Sequence, residues 1–362
     1  MAELDVLLVG PYPPPYGGIS AHVERLARSI QAAGLRAGVL NHFEGSPEDP
    51  LVVGELARNP WRYWRTLRHA RARVVHYHHS RFSTLLATAL ALRRGGAPAV
   101  ATIHGRELDR FLHTRIPGVA RVTRAALGRF AVLIAVSVEI ECSLGAVARP
   151  VKVIPAYLPA HDEQERLSPQ ADAFLHRGSN LVVSAYRLTT DQQGRSIYGL
   201  DTALAAFAAL APVRPELQLV VFVATPPASH RERKFLRSLI DAVPEERVRS
   251  RIGVFYGEPL TPAFANTAVY LRPTLTDGDA VSVREAIAAG VPVVASDVVR
   301  RPLGVVTVGP DVSAWRAAIL DALEHAAAVR PAVPSADPAS ELLNLYAMLG
   351  SVAVVTSQPV PS

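Results

Sequence analysis

The chain has 362 residues, 49% of them hydrophobic and 19% charged, which supports two hydrophobic cores and excludes a disordered chain. No apolar run reaches the roughly 18 residues of a membrane span, the start MAELDVLLVG lacks the basic region and cleavage site of a signal peptide, and the single Cys142 cannot form an intrachain disulfide, so a reducing cytoplasm is the expected location. Of 38 basic residues only Lys152 and Lys234 are lysines; residues 1–160 hold 20 basic against 11 acidic side chains and residues 161–362 hold 18 against 21, so the first half is expected to face something anionic.

Short runs of Val, Ile and Leu alternate with longer amphipathic, Ala-rich and Arg-rich stretches, the pattern of βα units over buried parallel sheets. Strands are predicted at Asp5 to Val9, Ala37 to Asn41, Val74 to His78, Ala99 to His104, Val132 to Val136 and Val151 to Ile154. A second set follows at Leu181 to Ala185, Leu217 to Val223, Gly253 to Tyr256, Val269 to Arg272, Val293 to Ala295 and Gly304 to Val308. The fold class is therefore α/β, as two Rossmann-like domains in tandem. Their expected limits are 1–160 and 161–335, with a connection within Pro155 to Gly178 and a last helix and frayed tail over 336–362 that returns to the first domain.

After the first strand, GPYPPPYGGISAHVERLARSI places Gly17 and Gly18 at the start of a helix with apolar Ile19, Val23, Leu26 and Ile30. Two glycines there let backbone N–H groups approach a phosphate, aided by the helix dipole. The same glycines also suit a stiff proline turn that needs them only for close packing. The dinucleotide fingerprint G-x-G-x-x-G is missing, which disfavours nicotinamide or flavin.

The stretch YLRPTLTDGDAVSVREAIAAGVPVVASD, residues 270–297, runs strand, polar loop, helix, strand. Asp277 lies in the loop and Glu285 on the helix, so both can face one crevice at the carboxyl edge of a sheet, where carboxylates accept hydrogen bonds from sugar hydroxyls.

This stretch resembles the E-x7-E region of retaining glycosyltransferases of family 4, with the GT-B fold of two Rossmann-like domains facing a central cleft. Asp277 matches the first acid, Gly278 and Ala280 the glycine positions, and Glu285 the second acid. Gly17 and Gly18 match the first-loop glycine pair, TIHG at 102–105 the histidine-bearing loop, VIPA at 153–156 the I-P-N-G position, and SAYRL at 184–188 the donor-site G-R-L. The resemblance implies that Glu285 holds ribose hydroxyls of a nucleotide-diphosphate sugar, Asp277 a hydroxyl of the transferred sugar, and His104 the acceptor side. It further implies a donor site of Gly17, Gly18, Gly278, Asp279, Ala280, Val281 and Ser282, with Arg187 stabilising the departing diphosphate. The first acid is Asp instead of Glu, Asp279 replaces an aromatic, and Tyr198 stands in the phosphate-lysine position after an insertion, TTDQQGRSI, whose Arg195 is a candidate substitute cation. The implied activity is a retaining, metal-independent transfer without a cofactor, from a nucleotide sugar to a glycan, lipid-linked or small-molecule acceptor. A catalytically silent GT-B scaffold and a nucleotide-sugar epimerase are the alternatives.

Other features carry weaker signals. Asp277-Gly278-Asp279 spells the D-x-D metal motif, but Glu285 and Arg187 fit a metal-independent site better. His76, His78, His79 and His104 end two strands, and no cysteine or carboxylate is spaced to complete a zinc site. Ser137 and Glu139 suit either substrate contact or helix capping. In RNPWRYWRTLRHARAR, residues 58–73, Trp61, Trp64 and Leu67 are expected on one helical face and Arg58, Arg62, Arg65 and Arg68 on another. The tryptophans are then either core residues or a peripheral contact with an anionic membrane surface. No nucleic-acid partner is expected, because the basic residues form no binding module.

Overall fold

Apolar runs bounded by glycine, proline and polar turns become the strands of two parallel sheets in the computed structural model, which describes residues 3–43, 49–158, 166–278, 280–325 and 337–350. The first sheet contains β1 (Leu4–Gly10), β2 (Ala37–Asn41), β3 (Val52–Glu55), β4 (Ala72–His79), β5 (Ala99–Ile103), β6 (Val132–Ala135) and β7 (Val151–Val153), in the order β3-β2-β1-β4-β5-β6-β7. The second contains β8 (Ser179–Ala185), β9 (Leu217–Val223), β10 (Ile252–Tyr256), β11 (Thr267–Arg272), β12 (Val293–Ser296) and β13 (Val306–Val308), in the order β10-β9-β8-β11-β12-β13. Helices follow the strands, and in each sheet the strand order reverses beside its first strand, between β1 and β4 and between β8 and β11. The fold is a pair of Rossmann-like α/β units, and the crevice beyond the strand ends at each reversal is where such sheets bind ligands.

The chain divides into a first unit of residues 3–14, 18–158 and 337–350 and a second of residues 15–17 and 166–325. The expected limits at 160/161 and 335/336, Asp279 and the tail beyond Gly350 lie outside the described residues. Among the described residues no helix is long and apolar enough to cross a membrane.

Strand alternation divides the second unit's core in two. Leu181, Val183 and Ala185 pack with Leu219, Val221, Leu271 and the buried Trp315 on one face, while Val182, Val220, Phe222 and Tyr270 pack on the other. Each such side chain contributes about 1.5–3 kcal/mol on burial. In the first unit, the helix Gly18–Ala32 buries Val23, Leu26, Ala27 and Ile30 against β1, and Pro338–Gly350 adds Leu342, Leu345 and Tyr346 to the same core. The Tyr346 hydroxyl is hydrogen-bonded to His76 Nδ1 at 2.5 Å.

Two sequence expectations change. β3 was not predicted, since four residues interrupted by Gly54 carry little pattern; it pairs with β2 at the sheet edge. The helix Pro60–Arg68, capped by Asn59, turns Tyr63 and Leu67 inward rather than its tryptophans. The Tyr63 hydroxyl meets the buried His42 Nε2 at 3.1 Å. Trp61, roughly 200° around the helix from Tyr63, is consequently 80% exposed and shares the outer side with the arginines. Trp64 is half-buried.

Candidate active site

At the reversal in the second unit, β8 ends at Ala185 and β11 at Arg272, so the segments that follow them leave the sheet side by side. Arg187 stands just past β8. It is exposed, 5.6 Å from the Tyr186 ring centroid, and has no carboxylate partner among the described residues. The inserted loop closes on itself through an antiparallel bridge between Thr190 and Ser196. Arg195 in that loop is already matched by a carboxylate, with Nη2 2.8 Å and Nε 2.9 Å from Asp191 Oδ2.

The chain next passes against the end of β11. Gly199 has φ +67, and a Cβ there would come within 1.9 Å of the Pro273 carbonyl oxygen, so glycine is required. This passage holds the Tyr198 ring 5.7 Å from the Arg272 guanidinium. A cation therefore does lie beside the position where the resemblance expects lysine. It is supplied from β11 and not from the insertion.

Arg272 Nε and Nη2 each donate to Asp277 at 3.0 Å, to Oδ2 and Oδ1 respectively, and Arg301 Nη1 donates to Oδ2 at 2.8 Å. Thr274 Oγ1 at 3.3 Å and the Gly278 amide at 3.1 Å complete the set. Five donors saturate the roughly four lone-pair directions of a carboxylate. The side chains of Asp277 and Arg301 are only 7% and 3% exposed. Burial pushes the Asp277 carboxyl up, but the two guanidinium groups outweigh it and hold the carboxyl below its usual range. Burial opposes the charge on Arg272, yet Asp277 raises its pKa overall. Arg301 is itself fixed by the Ser296 carbonyl at 3.1 Å and hydroxyl at 3.2 Å, at the end of β12. Asp277 thus has no lone pair left for a sugar hydroxyl in this arrangement, and its carboxylate organises a buried Arg-Asp-Arg triad with a net positive charge.

Ala280 starts the helix Val281–Ala288 without a side-chain cap, leaving first-turn amides for an anion. Ser282 Oγ accepts from the Tyr270 hydroxyl at 2.8 Å, which is also 2.6 Å from Ser184 Oγ, so this helix end is pinned to β8 and β11. Glu285 lies one turn further along, buried, with Thr261 Oγ1 at 3.5 Å from its Oε1. Gly278 adjoins this turn, and Gly17 groups with the second unit while Gly18 opens the first unit's leading helix.

In the first unit the corresponding reversal gathers histidines. His76 and His78 stack at 4.1 Å between centroids, which strand alternation requires, while His79 points to the other side and meets the Tyr77 hydroxyl at 3.3 Å. A Cβ at Gly10 would fall 2.9 Å from His78 Cβ, so glycine on β1 admits the imidazole. His104, after β5, lies 3.2 Å from His78 through Nε2 and Nδ1. His22, from the leading helix, stands 5.0 Å from His104 between ring centroids, and its Nδ1 donates to the Ala156 carbonyl at 2.6 Å. That bond leaves His22 Nε2 as a bare acceptor, buried and unpartnered among the described residues. Burial lowers the pKa of His22 to about 4, although the Ala156 bond raises it, and holds His76, His78 and His104 well below the ordinary value. All four are therefore neutral at pH 7. Ligand atoms of His22, His78 and His104 lie within 4.8 Å of one another; the His78–His104 pair, at 3.2 Å, has the roughly 3.3 Å that tetrahedral zinc needs between nitrogens. Ser137 caps the helix Val138–Leu144, accepting from the Ile140 amide.

Sequence reasoning missed Arg272, Arg301 and His22. An arginine ending an otherwise apolar strand, YLRP, and a histidine on the buried side of HVERL were the available signals.

Two Rossmann-like units, one with an uncapped helix start and arginines at its crevice, are the layout of a GT-B glycosyltransferase. Residues 16–156 match the model of glycosyltransferase family 4 and residues 192–325 that of glycosyl transferases group 1, and the chain is a glycosyltransferase of this family that uses nucleotide sugars. No curated protein matches it by sequence. Among solved structures it is similar to an α,α-trehalose-phosphate synthase from Burkholderia xenovorans in complex with glucose-6-phosphate, at 15% identity over 95% of this chain and 96% of that one, TM-score 0.65. It is similar to Anabaena Alr3699/HepE in complex with UDP, at 15% identity over 96% and 95%, TM-score 0.64. It is also similar to a putative UDP-N-acetylglucosamine 2-epimerase from Listeria monocytogenes, at 14% identity over 99% and 100%, TM-score 0.64.

Proposed function

We propose that the protein transfers a sugar from a nucleoside-diphosphate sugar to a hydroxyl acceptor with retention and without a metal. The observation that carries this is the second unit's crevice, where exposed Arg187 and the uncapped start of Val281–Ala288 flank the reversal and the buried Arg272-Asp277-Arg301 triad lies beneath. Charge accumulates on the departing diphosphate, and preorganised cations and amides stabilise it most in the transition state. The bond from the anomeric carbon to the diphosphate breaks while the acceptor oxygen bonds to that carbon on the same face, its proton passing to the diphosphate. Glu285 holds the ribose hydroxyls. Asp277 acts as a positioning residue that aims the two arginines, and His104 lines the acceptor side as a neutral imidazole. UDP in the Anabaena structure and glucose-6-phosphate in the Burkholderia structure support a nucleotide sugar and a sugar acceptor. The acceptor is a glycan, a lipid-linked sugar or a small sugar, and the charge of the first half suits an anionic one.

The test is incubation with uridine, guanosine and adenosine diphosphate sugars, with mass detection of products and NMR of the anomer. Release of nucleoside diphosphate with a retained anomer, lost in Glu285→Gln while the unfolding midpoint holds, is the expected result. Binding by calorimetry without turnover establishes a silent scaffold instead, a reading favoured by the saturation of Asp277. An epimerised sugar formed without acceptor overturns the transferase assignment in favour of an epimerase.

A further inference from the structure

From residue 56 to residue 106 the sequence contains ten arginines and no carboxylate. The helix Pro60–Arg68, about 13 Å long, lies inside this stretch. Its inner side is fixed by buried Tyr63 and Leu67, the opposite side carries Trp61, Arg65 and Arg68, and half-buried Trp64 stands at the flank between them. The indoles meet edge to face at 6.4 Å, and the Arg68 guanidinium lies 5.3 Å from the Trp64 ring centroid. Arg68 and Arg71 share a recess with Arg93 and Arg94 from the turn before β5, so the positive surface continues past the helix. Arg62, Arg65, Arg71, Arg93 and Arg94 have no carboxylate partner among the described residues.

An isolated solvated helix face gains nothing from an exposed indole. Indole and guanidinium together suit a boundary that is apolar on one side and negatively charged on the other, where tryptophan settles at headgroup level and arginine meets phosphate. We propose that the outer face of Pro60–Arg68, with the flanking arginines, docks on an anionic phospholipid bilayer. Trp61 inserts among the headgroups, and Arg62, Arg65 and Arg68 neutralise lipid phosphates. The bilayer is favoured over nucleic acid because Trp64 is half-buried with Arg68 over its ring, which leaves the single exposed indole of Trp61 rather than a row of platforms for successive bases. Docking is independent of donor and acceptor, so it stands or falls apart from the transferase reading.

The experiment floats the full-length protein with vesicles of phosphatidylcholine alone or containing phosphatidylglycerol, at low and high salt, without donor or acceptor. Tryptophan emission provides a second readout, because Trp315 is buried and constant while Trp61 is 80% exposed in the free protein. The expected result is co-flotation with anionic vesicles only, a blue shift of emission, and release by salt. Arg62→Gln/Arg65→Gln should weaken partitioning roughly thirty-fold, from the contribution of two arginines at an anionic surface. Trp61→Ala should remove most of the blue shift, and both variants should keep the wild-type unfolding midpoint because the altered side chains are exposed. Equal binding to neutral vesicles, no flotation with anionic vesicles, unchanged partitioning in the variants, or retention on single-stranded DNA without flotation each overturns the proposal.

Discussion

Replacing Asp277 with Asn tests the buried triad directly. The substitution keeps the size of the side chain and removes one negative charge from between two guanidinium groups, of which Arg272 is 12% and Arg301 3% exposed. Removing one partner of a buried ion pair leaves uncompensated charge and costs about 3–5 kcal/mol. For a unit of this size that corresponds to a fall in Tm of roughly 6–20 °C. The assay can be confined to the second unit, because Trp315, whose indole donates to the Gly309 carbonyl at 2.8 Å, is its only tryptophan. In a Trp61→Phe/Trp64→Phe background, its fluorescence during urea unfolding reports that unit alone. Asp277→Asn should lower the midpoint without ligand, and Arg272→Met/Asp277→Leu/Arg301→Met should recover most of the stability while leaving transfer abolished. A loss below about 1 kcal/mol in Asp277→Asn, accompanied by a raised donor KM, would show that the carboxylate serves the sugar directly and refute the organising role.

Three further outcomes follow from the same geometry. Six histidines, His22, His42, His76, His78, His79 and His104, are kept neutral by burial, with pKa about 4 for His22 and His79 and about 3 for His42. The unfolded chain binds their protons near pH 6.5 and the folded chain does so only well below, so the unfolding free energy from urea titration should fall as pH drops from 6.5 towards 4, with a limiting slope of about 1.4 kcal/mol per pH unit for each histidine; a flat profile contradicts this. Arg187→Ala should lower kcat roughly 100-fold, whereas Arg195→Ala, whose guanidinium is already held by Asp191, should change it little; steady-state kinetics decide, and the reverse ranking would relocate the phosphate cation. Chelation with EDTA or phenanthroline should leave transfer unchanged, and activity lost and then restored by zinc would instead assign a metal to His22, His78 and His104.

Most of the architecture was legible because the central parallel strands, buried on both faces, leave nearly continuous apolar runs, and the βα rhythm they set placed the edge strands β7 and β13 as well. β3 escaped because Gly54 and Glu55 cut its apolar run to two valines. The outward position of Trp61 escaped for a different reason: helical spacing groups Trp61, Trp64 and Leu67 plausibly, and the rotation of the helix is fixed by the burial of Tyr63 beside Leu67, with the Tyr63 hydroxyl held at His42. Motif spacing singles out Glu285 and Asp277, yet no local pattern could show that Asp277 is enclosed by two arginines, since Arg301 comes from beyond β12, 24 residues away in the chain. Similarly, the cation beside Tyr198 arrives from β11 through the passage at Gly199, a contact between segments that spacing does not connect.

The helix Pro338–Gly350 belongs to the first unit although the whole second unit precedes it in the chain. A ribosome releases β1 to β7 early, but Tyr346, the partner of His76, lies 270 residues further on. At roughly 5–20 residues per second, the side of β4 that Tyr346 covers waits on the order of 14–54 s for its lid, while the rest of the first sheet and the whole second unit are synthesised. A message truncated before the codons of Pro338–Gly350 would therefore damage a part of the product made much earlier: the second unit could mature intact while the first, assembled sooner, stayed open and exposed to proteases and aggregation.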